Sequence, residues 1–208
     1  MNTLKISVIK ERRKSIRAFF DGDNIVIKAP SFVSKGIIES FINENGGFFL
    51  KVIEAKRELK KGVLPFLGSK RRVEELHRFV YGSFNASTSS APSREYIKEL
   101  LKEAAKRVII PRFLERASVS NLDFKSVDIG LATSRYGSCT GCAKIRFSAF
   151  LVLMPIEAID YVIAHELAHL KVMNHSERFW REVERIYPDY LTGRTLLSKN
   201  AYLMYLLK

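Results

Sequence analysis

Histidine, cysteine and long hydrophobic runs are all scarce in this sequence. Its 208 residues include four histidines, two cysteines and one tryptophan. Two cysteines cannot form the disulfide network that stabilises a small secreted domain. The first ten residues lack the apolar core of a signal peptide, and the apolar stretches at residues 149–155 and 201–208 are too short to span a bilayer. We therefore expect a cytoplasmic protein with no membrane partner.

Acidic residues are too few to balance the basic ones. The chain has 35 lysines and arginines against 22 aspartates and glutamates, which gives a formal net charge of +13. An excess of this size favours an anionic partner or an acidic substrate. The densest basic cluster, KERRKSIR at residues 10–17, is typical of either the solvent face of a strand or a contact with nucleic acid. Both interpretations stay open on the sequence alone.

The pattern along the chain predicts an α+β protein with two regions. Alternating apolar residues predict three short strands, at residues 4–9, 14–20 and 25–29. The turn sequence DGDN at residues 21–24 indicates a hairpin or a small meander. NASTSSAPS, residues 85–93, has the composition of a linker. We therefore predict a mainly β N-terminal region with helices over residues 1–91 and a second domain over residues 92–208.

Two long segments have apolar residues at helical spacing. Residues 34–59 contain a Gly-Gly pair at residues 46–47, so we predict two helical pieces there. A second apolar stripe runs from Ser93, which can cap a helix, to about Ala117. We predict one long amphipathic helix, kinked or broken at Pro111.

The second domain is predicted to contain a small sheet followed by a buried helix. Residues 126–139 have the pattern of a strand entering a tight turn, and residues 143–153 that of a strand returning. Pro155 suits the first turn of the next helix. Residues 161–170 are apolar on nearly every side, so this helix belongs to the core. Three of the four histidines lie in its final part, within HELAHLKVMNH at residues 165–175.

Histidines four positions apart lie on one face of a helix, about one turn apart. His165 and His169 can therefore direct two imidazoles at one metal ion. Glu166 lies about 100° further round the helix, which puts its carboxylate beside the ion rather than on it. This HExxH pattern combines two zinc ligands with a general base. The alternative is a core helix with incidental histidines, but their polar groups would then need other partners in a dry interior.

A catalytic zinc takes a third protein ligand and keeps one position open. His175 is the candidate, and since it lies six residues beyond His169 the helix has to end between them. In metzincins a glycine permits this turn, whereas here Val172 takes the place of that glycine. We predict that the helix runs one or two residues further than in metzincins and that Asn174 adopts the left-handed backbone conformation that returns His175.

A further amphipathic helix is predicted after the third histidine. Ser176 is a plausible N-cap, and Pro188 would end the helix. Trp180, the only tryptophan, is expected to pack beneath the metal site rather than to bind substrate.

The two cysteines, Cys139 and Cys142, form a CxxC pair. Such a pair can be a redox dithiol or half of a zinc site. No second pair of cysteines or histidines lies nearby to complete four ligands, and no thioredoxin-like pattern surrounds it. Two small residues in a turn are the simplest interpretation.

Several motifs together resemble one known family. RYGSC, IRFSAFLVLMP and IDYVIAHELAHLKVMNHSERFW, followed by PDY, all lie within residues 131–190. They closely resemble the YgjP-like metallopeptidases, relatives of the SprT-like zinc proteases. ERRKSIRAFF, IVIKAPSFVS and PFLG extend a weaker similarity to the N-terminal region. The family usually has tryptophan where Tyr136 stands, and Cys142 is not a usual feature; neither departure affects a proposed ligand.

This resemblance implies a zincin-like fold for the second domain, with the small sheet packed on the HExxH helix. It also implies a Zn²⁺ ion as cofactor and a protein or peptide as substrate. Glu166 would be the general base, and the zinc ligands would be His165, His169 and His175.

The leading hypothesis is hydrolysis of a peptide bond by a zinc-activated water. Glu166 would take the proton of the water and return it to the leaving amine. Zincins align an extended substrate on an edge strand, for which residues 143–150 are the candidate. Four side chains are chemically able to stabilise the oxyanion: Arg135, Tyr136, Tyr161 and Tyr190.

Two other functions remain open on the sequence. The same metal site could serve a hydrolase of nucleotide phosphoanhydrides, with the positive charge attracting phosphate, although no P-loop is present. Alternatively, the chain could be a nucleic-acid-associated module with a structural zinc, in which case replacing Glu166 would at most change stability. SprT-like relatives that cleave DNA-bound proteins make a nucleic-acid partner worth considering by analogy.

Overall fold

Three short strands at the N-terminus form a mixed sheet in the computed structural model. The structure describes residues 5–21, 23–82 and 92–207. The strands are β1 (Lys5–Glu11), β2 (Arg17–Asp21) and β3 (Asn24–Pro30). β3 lies in the middle, antiparallel to β2 and parallel to β1. The predicted hairpin is therefore the β2–β3 pair, and a simple meander is wrong because β1 pairs with β3 instead of β2.

The densest basic cluster covers the connection between β1 and β2. It begins within β1, crosses residues 12–16 and ends at the first residue of β2, so it is not one continuous strand. Arg12, Lys14 and Arg17 are exposed there. A nucleic-acid contact at this surface stays a prediction.

The next element is one unbroken helix, α1 (Lys35–Lys60), and not the two predicted pieces. Glycine costs a helix only about 1 kcal/mol relative to alanine. Ile38 precedes the Gly-Gly pair and Phe49 follows it, and both pack with Ile25 and Ile27 of β3 in one small core. Because the same sheet buries both halves of the helix, packing outweighs the local preference of the two glycines.

A hairpin and a short helix follow. They are β4 (Val63–Phe66), β5 (Ser69–Arg72) and α2 (Val73–Tyr81). The turn between β4 and β5 uses left-handed backbone at Leu67 and Gly68. The backbone amide of Leu67 donates a hydrogen bond of 2.9 Å to Val152, which ties this hairpin to the main core.

The long helix α3 (Arg94–Val119) confirms the predicted amphipathic helix. Ser93 caps it, accepting a hydrogen bond from the amide of Tyr96. Pro111 lies inside the helix and does not end it. Ile109 and Phe113, on either side of the proline, are fully buried, so packing holds the helix together where local geometry disfavours it.

The main core contains residues from both sides of the predicted domain boundary. Leu64 and Leu76 belong to the same cluster as Leu100 and Phe147. The boundary near residue 91 and most of the predicted linker lie in residues 83–91, outside the part of the chain that the structure describes. The division into two domains stays a prediction.

A second three-stranded sheet precedes the histidine-bearing helix. Its strands are β6 (Ser126–Gly130), β7 (Gly137–Cys139) and β8 (Lys144–Ser148). β8 lies in the middle, parallel to β6 and antiparallel to β7, which is the same arrangement as in the first sheet. The predicted strand at residues 143–153 is correct only in its first half, because Ala149–Leu153 forms a buried 3₁₀ turn.

The C-terminal part consists of three helices and a short 3₁₀ turn. The helices are α4 (Ile156–Ala168), α5 (Glu177–Ile186) and α6 (Tyr190–Lys199), and the turn is Ala201–Tyr205. α4 is buried against its neighbours along most of its length. Asp160 of α4 accepts two hydrogen bonds, of 2.9 and 2.7 Å, from the guanidinium of Arg112 in α3. No described helix is both long and apolar enough to cross a membrane.

Helix α6 approaches α4 closely at Gly193. A Cβ at this position would overlap the carbonyl oxygen of Glu157 and lie 2.6 Å from the Cβ of Tyr161. By contrast, a Cβ at Gly46 or Gly47 of α1 would meet nothing within 4 Å. These three helical glycines therefore have different roles.

We expect Gly193→Ala to destabilise the protein and Gly46→Ala to stabilise it. Overpacking at Gly193 should lower the free energy of unfolding by about 1–3 kcal/mol or more, whereas the open site at Gly46 should gain about 0.5–1 kcal/mol. Urea unfolding followed by circular dichroism measures both, with Gly47→Ala as a repeat of the second case. Equal stabilities for the Gly193→Ala and wild-type proteins would contradict the close packing of α4 on α6.

Candidate metal centre

The structure brings the three histidines of HELAHLKVMNH together. One ring nitrogen from each of His165, His169 and His175 lies within 4.8 Å of the others. The Nε2 atoms of His165 and His175 are 3.2 Å apart. Two nitrogens on a tetrahedral zinc, each about 2.0–2.1 Å from the ion, would be separated by about 3.3 Å. The separation of the His165 and His175 nitrogens therefore fits a zinc ion, and His169 lies close enough to join them.

The turn that returns His175 differs from the predicted one. Helix α4 ends at Ala168, and a hydrogen bond from the amide of Val172 to Ala168 closes one more turn. Asn174 does not have a left-handed backbone, so that prediction is wrong. Its side-chain oxygen instead accepts a 3.4 Å hydrogen bond from the amide of Ser176. The change of direction is spread over several residues with ordinary backbone angles, and no single residue has to act as a hinge.

Val172, which takes the place of the metzincin glycine, supports the site through its backbone. Its carbonyl oxygen lies 3.1 Å from Nδ1 of His169. When Nδ1 is protonated and donates a hydrogen bond to this carbonyl, Nε2 of His169 has a free lone pair for a metal ion. The same turn that positions His175 therefore also orients His169 for metal binding.

His165 is held in the uncharged form that a metal requires. Burial, and then the neighbouring His169 and His175, lower the pKa of its imidazole from 6.5 to about 4. Its Nδ1 atom is buried and has no hydrogen-bond partner among the described residues. A set of three imidazole nitrogens suits zinc and other transition metals, whereas magnesium and calcium prefer oxygen ligands.

Glu166 lies next to the histidines but does not belong to the ligand group. Its side chain is buried, with 5% of its surface exposed. Burial raises the pKa of its carboxyl from 4.5 to about 7, against a smaller opposing effect from the charge of Arg135. A carboxyl that titrates near neutral pH can both accept and release a proton at working pH.

Comparison with protein-family models matches residues 14–200 to the YgjP-like metallopeptidase domain. The chain belongs to the YgjP-like metallopeptidase family. The match spans nearly the whole chain and includes every described strand except β1, the three histidines and Glu166. It confirms the resemblance in the sequence and places the protein in a family of metal-dependent peptidases. No curated protein and no solved structure matches the chain in the same comparisons.

The three histidines of this YgjP-like site pack against a phenylalanine that the sequence did not identify. Phe179 of α5 is fully buried, and its ring centroid lies 4.6–4.9 Å from those of all three histidines. Trp180, which was predicted to pack beneath the metal site, is further away. Its ring centroid lies 6.1 and 6.2 Å from those of His165 and His175. It packs beside the site, stacked on Tyr190. The apolar stripe of α5 marks Phe179 as a core residue but does not indicate its place under the metal ligands.

Gly137 of β7 is a second residue that the sequence did not single out. A Cβ at this position would lie 2.5 Å from Oε1 of Glu166 and 2.7 Å from its Cγ. Only glycine can therefore occupy this part of β7 while the Glu166 side chain keeps its present position. Its central place in the RYGSC motif is the one sequence feature that points to it.

The strand expected to align a substrate is not at an edge of the sheet. Residues 143–150 contain β8, which pairs with β6 on one side and β7 on the other, so that prediction is wrong. In the described part of the chain, β7 pairs with β8 alone. The edge strands of this sheet are therefore β6 and β7, and β7 is the one in which Gly137 approaches Glu166.

The CxxC pair flanks the turn between β7 and β8. Cys139 and Cys142 are free thiols, and Cys142 is exposed. Burial, followed by the charge of Glu166, raises the pKa of Cys139 to about 11, so this thiol stays protonated at neutral pH. The metal-binding group found among the described residues contains no cysteine. These properties favour the interpretation of the CxxC pair as two small residues in a turn.

The candidate oxyanion donors occupy different environments. Arg135 is exposed near Glu166, as its effect on the pKa of that carboxyl indicates. Burial raises the pKa of Tyr136 to about 12 and also raises that of Tyr161, whose ring centroid is 5.9 Å from that of His165. Tyr190 stacks on Trp180. All four stay candidates.

We expect Gly137→Ala to displace Glu166 without disturbing the histidines. Because a shift of about 1 Å in a reacting group can cost about a hundredfold in rate, peptide hydrolysis should fall by roughly that factor. The metal content of the purified variant should stay the same as that of the wild type. Kinetic assays together with metal analysis measure the two effects.

Gly141→Ala is the matched control, because a Cβ there would meet nothing within 4 Å and the residue lies in the adjacent turn. This variant should retain wild-type activity. Full activity in Gly137→Ala would show that Glu166 does not depend on the close approach of β7.

Proposed function

We propose that this protein is a zinc-dependent peptidase in which Glu166 is the general base. His165, His169 and His175 would hold the ion. The observation that carries the proposal is the arrangement of three convergent imidazoles beside the buried carboxylate of Glu166. Membership of the YgjP-like family supports the peptidase class and a protein or peptide substrate.

Zinc, when bound, would act as a Lewis acid toward the peptide carbonyl and lower the pKa of water. The protein would contribute the proton transfers. Glu166, whose pKa is raised to about 7 by burial, would take a proton from the attacking water and deliver it to the leaving amine nitrogen. Gly137 would keep the carboxylate in position for both transfers.

The free edge of β7 is the proposed guide for the substrate. Its backbone groups, from Gly137 to Cys139, can pair with an extended peptide as an added strand. A peptide bound there would run directly past Glu166, because Gly137 contacts that side chain. His175 is exposed, so the ligand group can be reached from solvent.

The two alternative functions have less support. A phosphoanhydride hydrolase that relies on magnesium would need a cluster of carboxylates, whereas the ligand group found among the described residues consists of histidines. A structural zinc usually has four protein ligands, and this group offers three. A zinc ion held by these three ligands would keep one coordination position open, as a catalytic zinc does.

We expect Glu166→Gln to abolish most peptide hydrolysis while the protein still binds zinc. A general base of this kind typically contributes about 10²–10⁴ in rate. Hydrolysis of casein and of a fluorogenic peptide by the zinc-loaded variant and wild type measures the loss, and metal analysis confirms loading. Glu157→Gln, in the first turn of the same helix, is the control that should retain activity.

A zinc-loaded Glu166→Gln protein with full activity would rule out the proposed mechanism. Nucleoside triphosphates belong in the same assay. Hydrolysis of these compounds, with none of any peptide, would replace the peptidase proposal with the nucleotide alternative.

A further inference from the structure

A cavity of about 290 Å³ lies beside β7 and the loop that precedes it. No carboxylate is among its described lining residues, and its polar lining comes from Ser134, Arg135, Ser138, Arg146 and Ser148. The volume is that of several water molecules, enough for a short side chain with a charged end. The cavity therefore offers two guanidinium groups and hydroxyl donors to a small anionic group.

The two arginines differ in how far their charges are already neutralised. Arg146 forms a 3.0 Å ion pair with Asp128, and both side chains are largely exposed. Arg135 forms no hydrogen bond or ion pair with any residue in the described ranges. Its charge acts on the carboxyl of Glu166 without a hydrogen bond. The N–H groups of its guanidinium can therefore bind another carboxylate through two parallel hydrogen bonds.

The geometry of β7 connects this cavity to Glu166. Successive residues of a strand point to opposite faces of the sheet. The Cβ direction of Gly137 leads to Glu166, so Ser138 points to the other face. Arg146, the partner of Ser138 across the β7–β8 ladder, lies on the same face as Ser138. Two lining residues of the cavity, Ser138 and Arg146, thus lie on the face of the sheet opposite to Glu166.

A peptide paired with the edge of β7 would alternate in the same way. When one of its residues lies at the histidines and Glu166, the side chain of a neighbouring residue points toward the cavity. The chemistry of that cavity would then select the neighbouring side chain.

We propose that this cavity binds a carboxylate side chain of the substrate, so that the enzyme prefers peptides with aspartate or glutamate within two residues of the cleaved bond. This inference rests on the proposed peptidase function and names its substrate class. Arg135 is the main partner of the carboxylate, and Arg146, shared with Asp128, is the secondary one. The acidic preference agrees with the net charge of +13.

The first test is the cleavage pattern of the zinc-loaded wild-type protein on a diverse peptide mixture, read by mass spectrometry. Aspartate and glutamate should be enriched within two residues of the cleaved bonds. A matched pair of peptides, identical except for glutamate or glutamine at the enriched position, then gives two values of kcat/KM. The glutamate peptide should be favoured roughly tenfold, as for a hydrogen bond to a charged group.

The variants Arg135→Gln and Arg135→Gln/Arg146→Gln should bring the ratio of the two kcat/KM values to about one. Arg12→Gln removes the same charge from the exposed connection between β1 and β2, and it should leave the ratio unchanged. A ratio that survives in the double variant, or that falls equally in Arg12→Gln, would overturn the assignment to this cavity.

Binding provides a readout that does not depend on catalysis. Calorimetry with the zinc-loaded Glu166→Gln protein should show about tenfold weaker binding of the glutamine peptide than of the glutamate peptide. Peptide cleavage without any acidic preference would refute this inference and leave the peptidase proposal standing. Absence of all peptide cleavage would refute the peptidase proposal, and equal binding of the two peptides would then refute the inference as well.

Discussion

The site depends on placing polar groups at the end of a helix whose preceding turn, Tyr161–Ala164, is apolar and buried. Two imidazoles and a carboxylate would be costly in such a position without partners. The turn after α4 returns His175 to within 3.2 Å of His165, and one divalent cation can then satisfy all three imidazoles. The helix itself is fixed from several sides. Arg112 donates a hydrogen bond to Asp160 of α4, and Gly193 permits close contact between α4 and α6. Phe179 packs against the imidazole of His165.

Burial has two opposite consequences for the titratable groups of this site, and both suit catalysis. It lowers the pKa of His165, which favours the neutral form that binds metal, and it raises the pKa of Glu166 toward neutral pH, where a carboxyl can exchange protons. Close contact with β7 at Gly137 is part of what excludes water from Glu166. The same strand also lines a cationic cavity. In the proposed mechanism, a short edge strand therefore connects proton transfer with the recognition of substrate.

The sequence predicted the parts of the molecule that depend on local spacing. Four-residue spacing on a helix was enough to bring His165 and His169 together, and the amphipathic stripe was enough to identify α3. Features set by packing were not predictable in this way. The helix α1 continues through its Gly-Gly pair because one sheet buries both halves. The order of the strands places β8 in the middle, and the turn before His175 needs no left-handed Asn174. Phe179 and Gly137 have roles that arise only from long-range contacts.

The central claim is that three histidines hold a catalytic zinc with one position left open. X-ray absorption at the zinc edge of the purified protein tests it most directly. We expect three imidazole nitrogens and one oxygen at about 2.0–2.1 Å, with the oxygen replaceable by an added inhibitor with a zinc-binding group. A sulfur contribution at about 2.3 Å, or four protein ligands with no exchangeable position, would contradict the claim.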